Sequence, residues 1–142
     1  MKSNIKAQVG INIHATIANV WEALTNPDII KKYFFGTNTI TDWEVGNPIK
    51  FKGEWEGKSY EDKGIIVDMK PGELLHTTYF SSMSGKEDKP ENYANVIYKI
   101  IPSGNQSILT IEQDNNADEK SRDHSEQNWK MVLQSFKELV EK

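Results

Sequence analysis

The chain contains no cysteine. That excludes disulfides, thiolate metal ligands and a cysteine nucleophile, and it suits a reducing compartment. No apolar run approaches the roughly 18 residues that a membrane-spanning helix needs. No apolar stretch of signal-peptide length follows the lysine of the amino-terminal MKSNIKAQVGINIHA. Without a signal peptide, the sequon Asn105-Gln106-Ser107 reads as a turn. A basic surplus is missing too. The net charge is −4, from 17 Lys and Arg against 21 Asp and Glu, and the basic residues are scattered. The electrostatic footprint of a nucleic-acid binder is therefore absent. The expectation from these absences is a soluble cytoplasmic protein that engages neither nucleic acid nor a membrane.

Motifs of catalysis are equally scarce. GEWEGKS, residues 53–59, has the look of a phosphate-binding loop. However, three residues separate Gly53 from Gly57 where that motif requires four, and a strand signal follows instead of a helix. A hairpin turn at Glu56-Gly57-Lys58 explains the segment better. DNNADEKSRDHSE sets Asp114, Asn116 and Asp118 at the first, third and fifth positions of a calcium loop. Glu119 then stands where glycine must turn the chain, and Ser125 where a bidentate carboxylate is needed. His14, His76 and His124 lie on separate elements with no second ligand at metal spacing. No Gly-x-Ser-x-Gly elbow is present. No carboxylate stands in an otherwise apolar face, where burial would raise its pKa for acid–base work; Glu112 and Gln113, ending a strand, come nearest. Neither a metal nor a cofactor is expected, and catalysis is disfavoured.

What the sequence does hold is periodicity. At 142 residues it suits one domain, residues 1–142, able to bury roughly 68–70% of its unfolded surface. Ile5, Ala7, Val9, Ile11 and Ile13 alternate with polar residues and glycine, the pattern of a half-buried strand. Two short helices follow. Ile17, Val20, Trp21 and Leu24 share a face behind a Thr16 cap, then Asn26 caps a second helix with Pro27 at its first position. Strand signals resume with Ile49, Phe51, Gly53 and Trp55, and a further face is expected from Ile65, Val67 and Met69. ELLHTTYF reads as a strand after the Pro71-Gly72 turn, residues 81–92 as a polar loop, and Ala94, Val96, Tyr98 and Ile100 as another strand, with SILTIEQ returning. The fold class is therefore α+β: a strand, two short helices, about six strands and a long helix.

The last helix is expected to start near Asn116, with Glu119 completing a capping box, and to run about 23 residues, or roughly 34 Å. Trp129, Val132, Leu133, Phe136, Leu139 and Val140 fall within about 120° of arc, the width of a core-facing stripe. Burying them contributes on the order of 10 kcal/mol, from about 1.5–3 kcal/mol per side chain less what a compact unfolded chain already buries. Upstream, Asp118, Arg122 and Ser125 occupy the same arc. A coiled-coil seam or a membrane-surface helix would carry its stripe along its whole length. Either the polar half borders a wet opening, or the helix overhangs the sheet.

VWEALTNPDIIKKYFF, DWEVGNPIKF, GIIVDMKPGELLHTTY and NWKMVLQSFKELVEK together resemble the heat-shock-protein-90 ATPase activator homologue family, of the START-like, helix-grip (SRPBCC) superfamily. The likeness covers about residues 8–141. Its specific parts are Trp21 with Leu24-Thr25-Asn26-Pro27, Gly46 before Phe51, Pro71-Gly72, and Trp129 with Leu133 and Leu139. The chain departs from the family at Tyr33-Phe34, where many members have tryptophan before phenylalanine, and at Gly46-Asn47, where a Gly-Gly pair is common. The resemblance implies a seven-stranded antiparallel sheet wrapped around the carboxy-terminal helix, with a hydrophobic cavity between. It does not imply the namesake's chaperone activity, because those activators carry a separate amino-terminal domain for which 142 residues leave no room.

Three functions are carried forward. The first is binding of a small hydrophobic ligand, lined by Phe51, Trp55, Val67, Tyr79, Tyr98, Trp129, Leu133 and Phe136, with Tyr79, Tyr98, Trp55 or Arg122 supplying polar contacts. The bland competitor is that these residues simply fill the core. The second is a stress-associated module that binds a chaperone partner; Phe34-Phe35 is its only hint of an exposed apolar patch. The third, an enzyme, follows only from START-like relatives that include cyclases and hydrolases.

Overall fold

The computed structural model describes residues 5–34, 36–55, 57–81 and 85–141, apart from the side chain of Trp55. Strand β1 (Ala7–Ile13) leads into helices α1 (Ile17–Thr25) and α2 (Pro27–Tyr33). Strands β2 (Asn38–Ile40), β3 (Pro48–Trp55), β4 (Lys58–Lys70), β5 (Leu74–Tyr79), β6 (Ala94–Ser103) and β7 (Gln106–Gln113) follow, then helix α3 (Glu119–Val140). The sheet order is β1-β7-β6-β5-β4-β3-β2, and every neighbouring pair is antiparallel. The chain thus crosses from one sheet edge to the other once, through α1 and α2, and returns as a meander. This is a helix-grip arrangement.

Local chemistry sets the early elements. In β1, Ala7, Val9 and Ile13 are buried while Gln8, Gly10 and Asn12 are exposed. The Thr16 hydroxyl accepts from the Asn19 amide at 3.2 Å to open α1, and Asn26 accepts from the Asp28 amide at 3.0 Å to open α2. Tyr33 ends α2 by donating its hydroxyl to the Ala23 carbonyl at 2.9 Å, and its ring meets Phe136 edge-on at 4.9 Å. The two short helices are thereby tied to each other and to α3.

Two expectations need correction. In β4, Ile66 is fully buried while Ile65 and Val67 are 48% and 42% exposed. Ile66 lies opposite Thr77 and Asp68 opposite His76, so Val67 is one residue too many for its partner strand. Such a bulge reverses the in–out alternation. Tyr60, Asp62, Gly64 and Ile66 face inward before it, and Met69 packs inward after it beside Ile49, Ile66 and Leu75.

The start of α3 is the second correction. Asp118 is the cap, accepting from the Ser121 amide at 2.8 Å. Asn116 is instead buried in the core. Its amide donates to the carbonyls of Ile5 at 2.9 Å and Gln113 at 3.0 Å, and its oxygen accepts from the Ser125 hydroxyl at 2.9 Å. Asn115, at φ 60°, makes the left-handed turn that sends the chain out of β7.

Helix α3 lies along β1 and touches α1 and α2. Glu126 accepts from the Gln8 amide at 3.0 Å, Lys137 donates to the Asn12 carbonyl at 2.9 Å, and Glu141 accepts from the His14 amide at 2.8 Å. Because the helix is fastened at this side, β3, β4 and β5 face it across a gap. None of the described helices is long and apolar enough to cross a membrane.

Candidate functional site: a cleft between helix and sheet

The gap is a cleft of about 590 Å³, within the roughly 300–1,000 Å³ of small-molecule sites. The sheet contributes Phe51, Tyr60, Asp62, Thr77, Tyr79, Val96, Tyr98 and Gln113; the helix contributes Ser125, Asn128, Trp129, Met131 and Val132; Phe34, at the end of α2, closes one side. The deep end narrows to a void of about 40 Å³ walled by Thr39, Ile49, Leu75, Leu133 and Phe136 among others. That space holds a few waters at most. The Thr39 hydroxyl there is buried with no hydrogen-bond partner among the described residues.

Five aromatic rings form a continuous wall. Tyr98 and Trp129 meet edge-on at 6.0 Å, and Trp129 meets Phe34 at 6.1 Å. Phe34 stacks near Phe51 at 6.4 Å, and Phe51 tilts against Tyr79 at 5.9 Å. The Trp129 indole N–H donates to Gln113 at 2.7 Å, which fixes the ring between helix and sheet. Gly53 makes room for the next layer: a Cβ on it would come within 2.5 Å of the Tyr60 hydroxyl, which sits 2.6 Å from buried Thr37.

The polar chemistry centres on Asp62, a carboxylate only 7% exposed in this largely aromatic wall. The Tyr79 hydroxyl donates to it at 2.5 Å. Burial, and then the hydrogen bond and charge of Asp62, push the Tyr79 phenol far above its ordinary value. Burial alone raises Tyr98. Both phenols therefore stay neutral donors at physiological pH. The Tyr98 hydroxyl has no hydrogen-bond partner among the described residues. Among those residues no group of three or more His, Asp or Glu could hold a metal.

The structure brings Phe51, Tyr79, Tyr98 and Trp129 to the cleft wall, with Leu133 and Phe136 at its deep end. Phe136 is 1% exposed and serves as core. Val67 does not belong with them, because the bulge turns it to the outer face. Arg122 is also absent from the lining and binds the neighbouring Asp123 carboxylate at 3.1 Å. The side chain of Trp55 lies outside the described residues, as does all of Phe35. Phe34 faces the cleft rather than forming an outer patch. Asp62 overturns the expectation that no carboxylate stands in an apolar face. Its signal was present in SYEDKGIIV, where Tyr60, Asp62, Gly64 and Ile66 alternate, but the reading took the opposite parity from Val67 and Met69. Ser125, at the polar end of the helical stripe, lines the cleft.

With this architecture in hand, the sequence model of the family described as "Activator of Hsp90 ATPase homolog 1-like protein" matches residues 14–141. The chain belongs to this family. Among solved structures, this member of the activator-homologue family is similar to ChR145 from Cytophaga hutchinsonii. The identity is 44%, over 99% of this chain and 97% of that one, with a TM-score of 0.87. It is also similar to CalU16 from Micromonospora echinospora, at 19% identity over 98% and 82% with a TM-score of 0.74. The Aha1 dimer from Colwellia psychrerythraea is similar at 18% identity over 96% of each chain, with a TM-score of 0.72. The last two likenesses concern the fold alone. No curated protein matches the chain.

Proposed function

We propose that this activator-homologue domain binds a small, largely apolar molecule in the cleft between α3 and the far half of the sheet. The observation that carries this reading is the aromatic wall itself. Five rings line about 590 Å³ of open cleft, where a packed core would leave only voids near the size of water. The Tyr98 hydroxyl supplies an orienting donor. The protein is read as cytoplasmic, in keeping with its lack of cysteine. Apolar ligand libraries titrated against tryptophan fluorescence and thermal stability test the reading. A ligand at about 100 times its Kd raises stability by about 2.7 kcal/mol. A library of aromatic and aliphatic compounds yielding no binder below a few tens of micromolar overturns it.

A second reading, a stress-associated module that binds a chaperone partner, draws on a different surface. Ile65 and Val67 face outward on β4, and Val45 is exposed in the turn beside them. The amide of Gly46, next to Val45, bonds the Ile66 carbonyl at 2.7 Å and so brings that turn against β4. Pull-down with a heat-shock-protein-90-type chaperone, followed by an ATPase assay, decides it. An unchanged ATPase rate counts against this reading and leaves the cleft reading standing.

A further inference from the structure

The unmet Thr39 hydroxyl stands where a ligand tip would reach. Strand β2 places it there: Asn38 and Ile40 are exposed while Thr39 is only 6% exposed, and it pairs with Phe51 of the cleft wall. Thr37, two residues earlier, is also buried, but its hydroxyl sits 2.6 Å from that of Tyr60. Thr39 instead borders the narrow void at the deep end, with Ile49, Leu75, Leu133 and Phe136 around it. Two further polar groups of that wall are already engaged: the Tyr33 hydroxyl on the Ala23 carbonyl, and the Trp129 indole on Gln113. A buried hydroxyl with no partner is costly and rare in folded proteins. Valine has the same branched shape and would pack here without that cost, so the hydroxyl calls for a partner from outside the chain. The way in is through the cleft, since Phe34, Phe51, Thr77, Tyr98, Trp129 and Val132 wall both spaces. No charged residue is among the described residues that wall the deep end. An ionised group there would lose its hydration with no opposite charge to replace it.

We propose that the deep end is a subsite for one neutral oxygen, the carbonyl or hydroxyl tip of an otherwise apolar ligand, with Thr39 as its hydrogen-bond partner. The inference rests on the reading that the cleft binds a small molecule, and adds which end enters first and what that end carries. At about 40 Å³ the void takes only a tip of a few heavy atoms. The apolar body therefore stays in the wider cleft between Phe51 and Trp129.

Three planar probes of matched shape test it by calorimetry at neutral pH: 2-acetylnaphthalene, 2-isopropenylnaphthalene and 2-naphthoate. The ketone should bind at least about five-fold tighter than the alkene, which leaves Thr39 unmet, and the carboxylate should bind weakest. Thr39→Val should erase the ketone's advantage and leave the alkene within about two-fold, while Thr39→Ser should keep that advantage. Thr39→Val should also melt no lower than the unaltered protein, because the hydroxyl it removes has no partner to lose. A melting temperature lower by several degrees would mean that Thr39 is already bonded, and would overturn the inference. Tyr98→Phe should leave the ketone's advantage in place. Its loss there would put the oxygen in the open cleft and overturn the subsite, whether or not Thr39→Val folds. An alkene or carboxylate that equals the ketone, or a ketone advantage that survives Thr39→Val, overturns the subsite and keeps the cleft reading. No binding by these probes or by the wider library removes both.

Discussion

Asn116 and Asp118 stand two residues apart at the foot of α3, and either could cap a helix. The structure assigns them different work, so a pair of substitutions separates them. Asn116→Ala removes two donated bonds, to Ile5 and Gln113, and one accepted bond, from Ser125. At about 0.5–1.5 kcal/mol each, with the buried carbonyls left unmet, the loss comes to about 2–4 kcal/mol. Asp118→Ala removes a cap on an exposed turn, whose effect is about 1 kcal/mol. Urea denaturation followed by circular dichroism gives both values. The Asn116 variant should lower the midpoint more at an unchanged slope, and its melting temperature should fall by about 10 °C. Because Gln113 and Ser125 border the cleft, ligand affinity should fall with it. If Asp118→Ala proves as damaging as Asn116→Ala, Asn116 is no clasp and the account of this end of the cleft is wrong.

Gly64→Ala should destabilise by about 3 kcal/mol or more, because its Cβ would lie 1.8 Å from the Thr78 carbonyl oxygen in β5. Gly104→Ala, at φ 64° with open space around it, should lose only about 1 kcal/mol by the same denaturation assay. The Glu141 carboxyl is held below its ordinary value of 4.5, first by the His14 amide and then by Lys137. A depressed folded value stabilises above the unfolded one and is lost as pH falls through the folded one. The stability gap between the protein and Glu141→Gln should therefore be present above about pH 4.5 and close on further acidification, as pH-resolved melting will show. Val67→Ser should change stability by no more than about 0.5 kcal/mol, since the side chain is exposed; a drop of several kcal/mol would contradict the bulge.

What could be read from the sequence was whatever local rules decide alone. Thr16, Asn26 and Pro27 announce two short helices by capping chemistry, and β1 by strict alternation, because one of its faces is wet. The stripe from Trp129 to Val140 announced a helix turned toward its own sheet, though β1 and the short helices, rather than the whole sheet, receive it. Strand β2, at three residues, is too short to carry a period. In β4 the bulge at Val67 breaks the period, and parity carried across it from Met69 misplaces Val67 and hides Asp62. Asn116 was misread because capping and clasping draw on the same amide, and only the distant carbonyl of Ile5 distinguishes them. Arg122 was misread because arc position on a helix does not say how far the sheet extends beneath it.

The three contacts that fasten α3 to β1 have a wider effect. A seven-stranded open sheet has two borders, each a row of amides and carbonyls that another chain could pair with. At β1 and just past its end that row is partly occupied, since Glu126, Lys137 and Glu141 hold Gln8, Asn12 and His14. At the other border, β2 offers only Asn38–Ile40. Neither border gives an incoming strand more than a few bonds. The molecule can therefore keep its sheet open around a cleft without inviting strand-by-strand aggregation at either border.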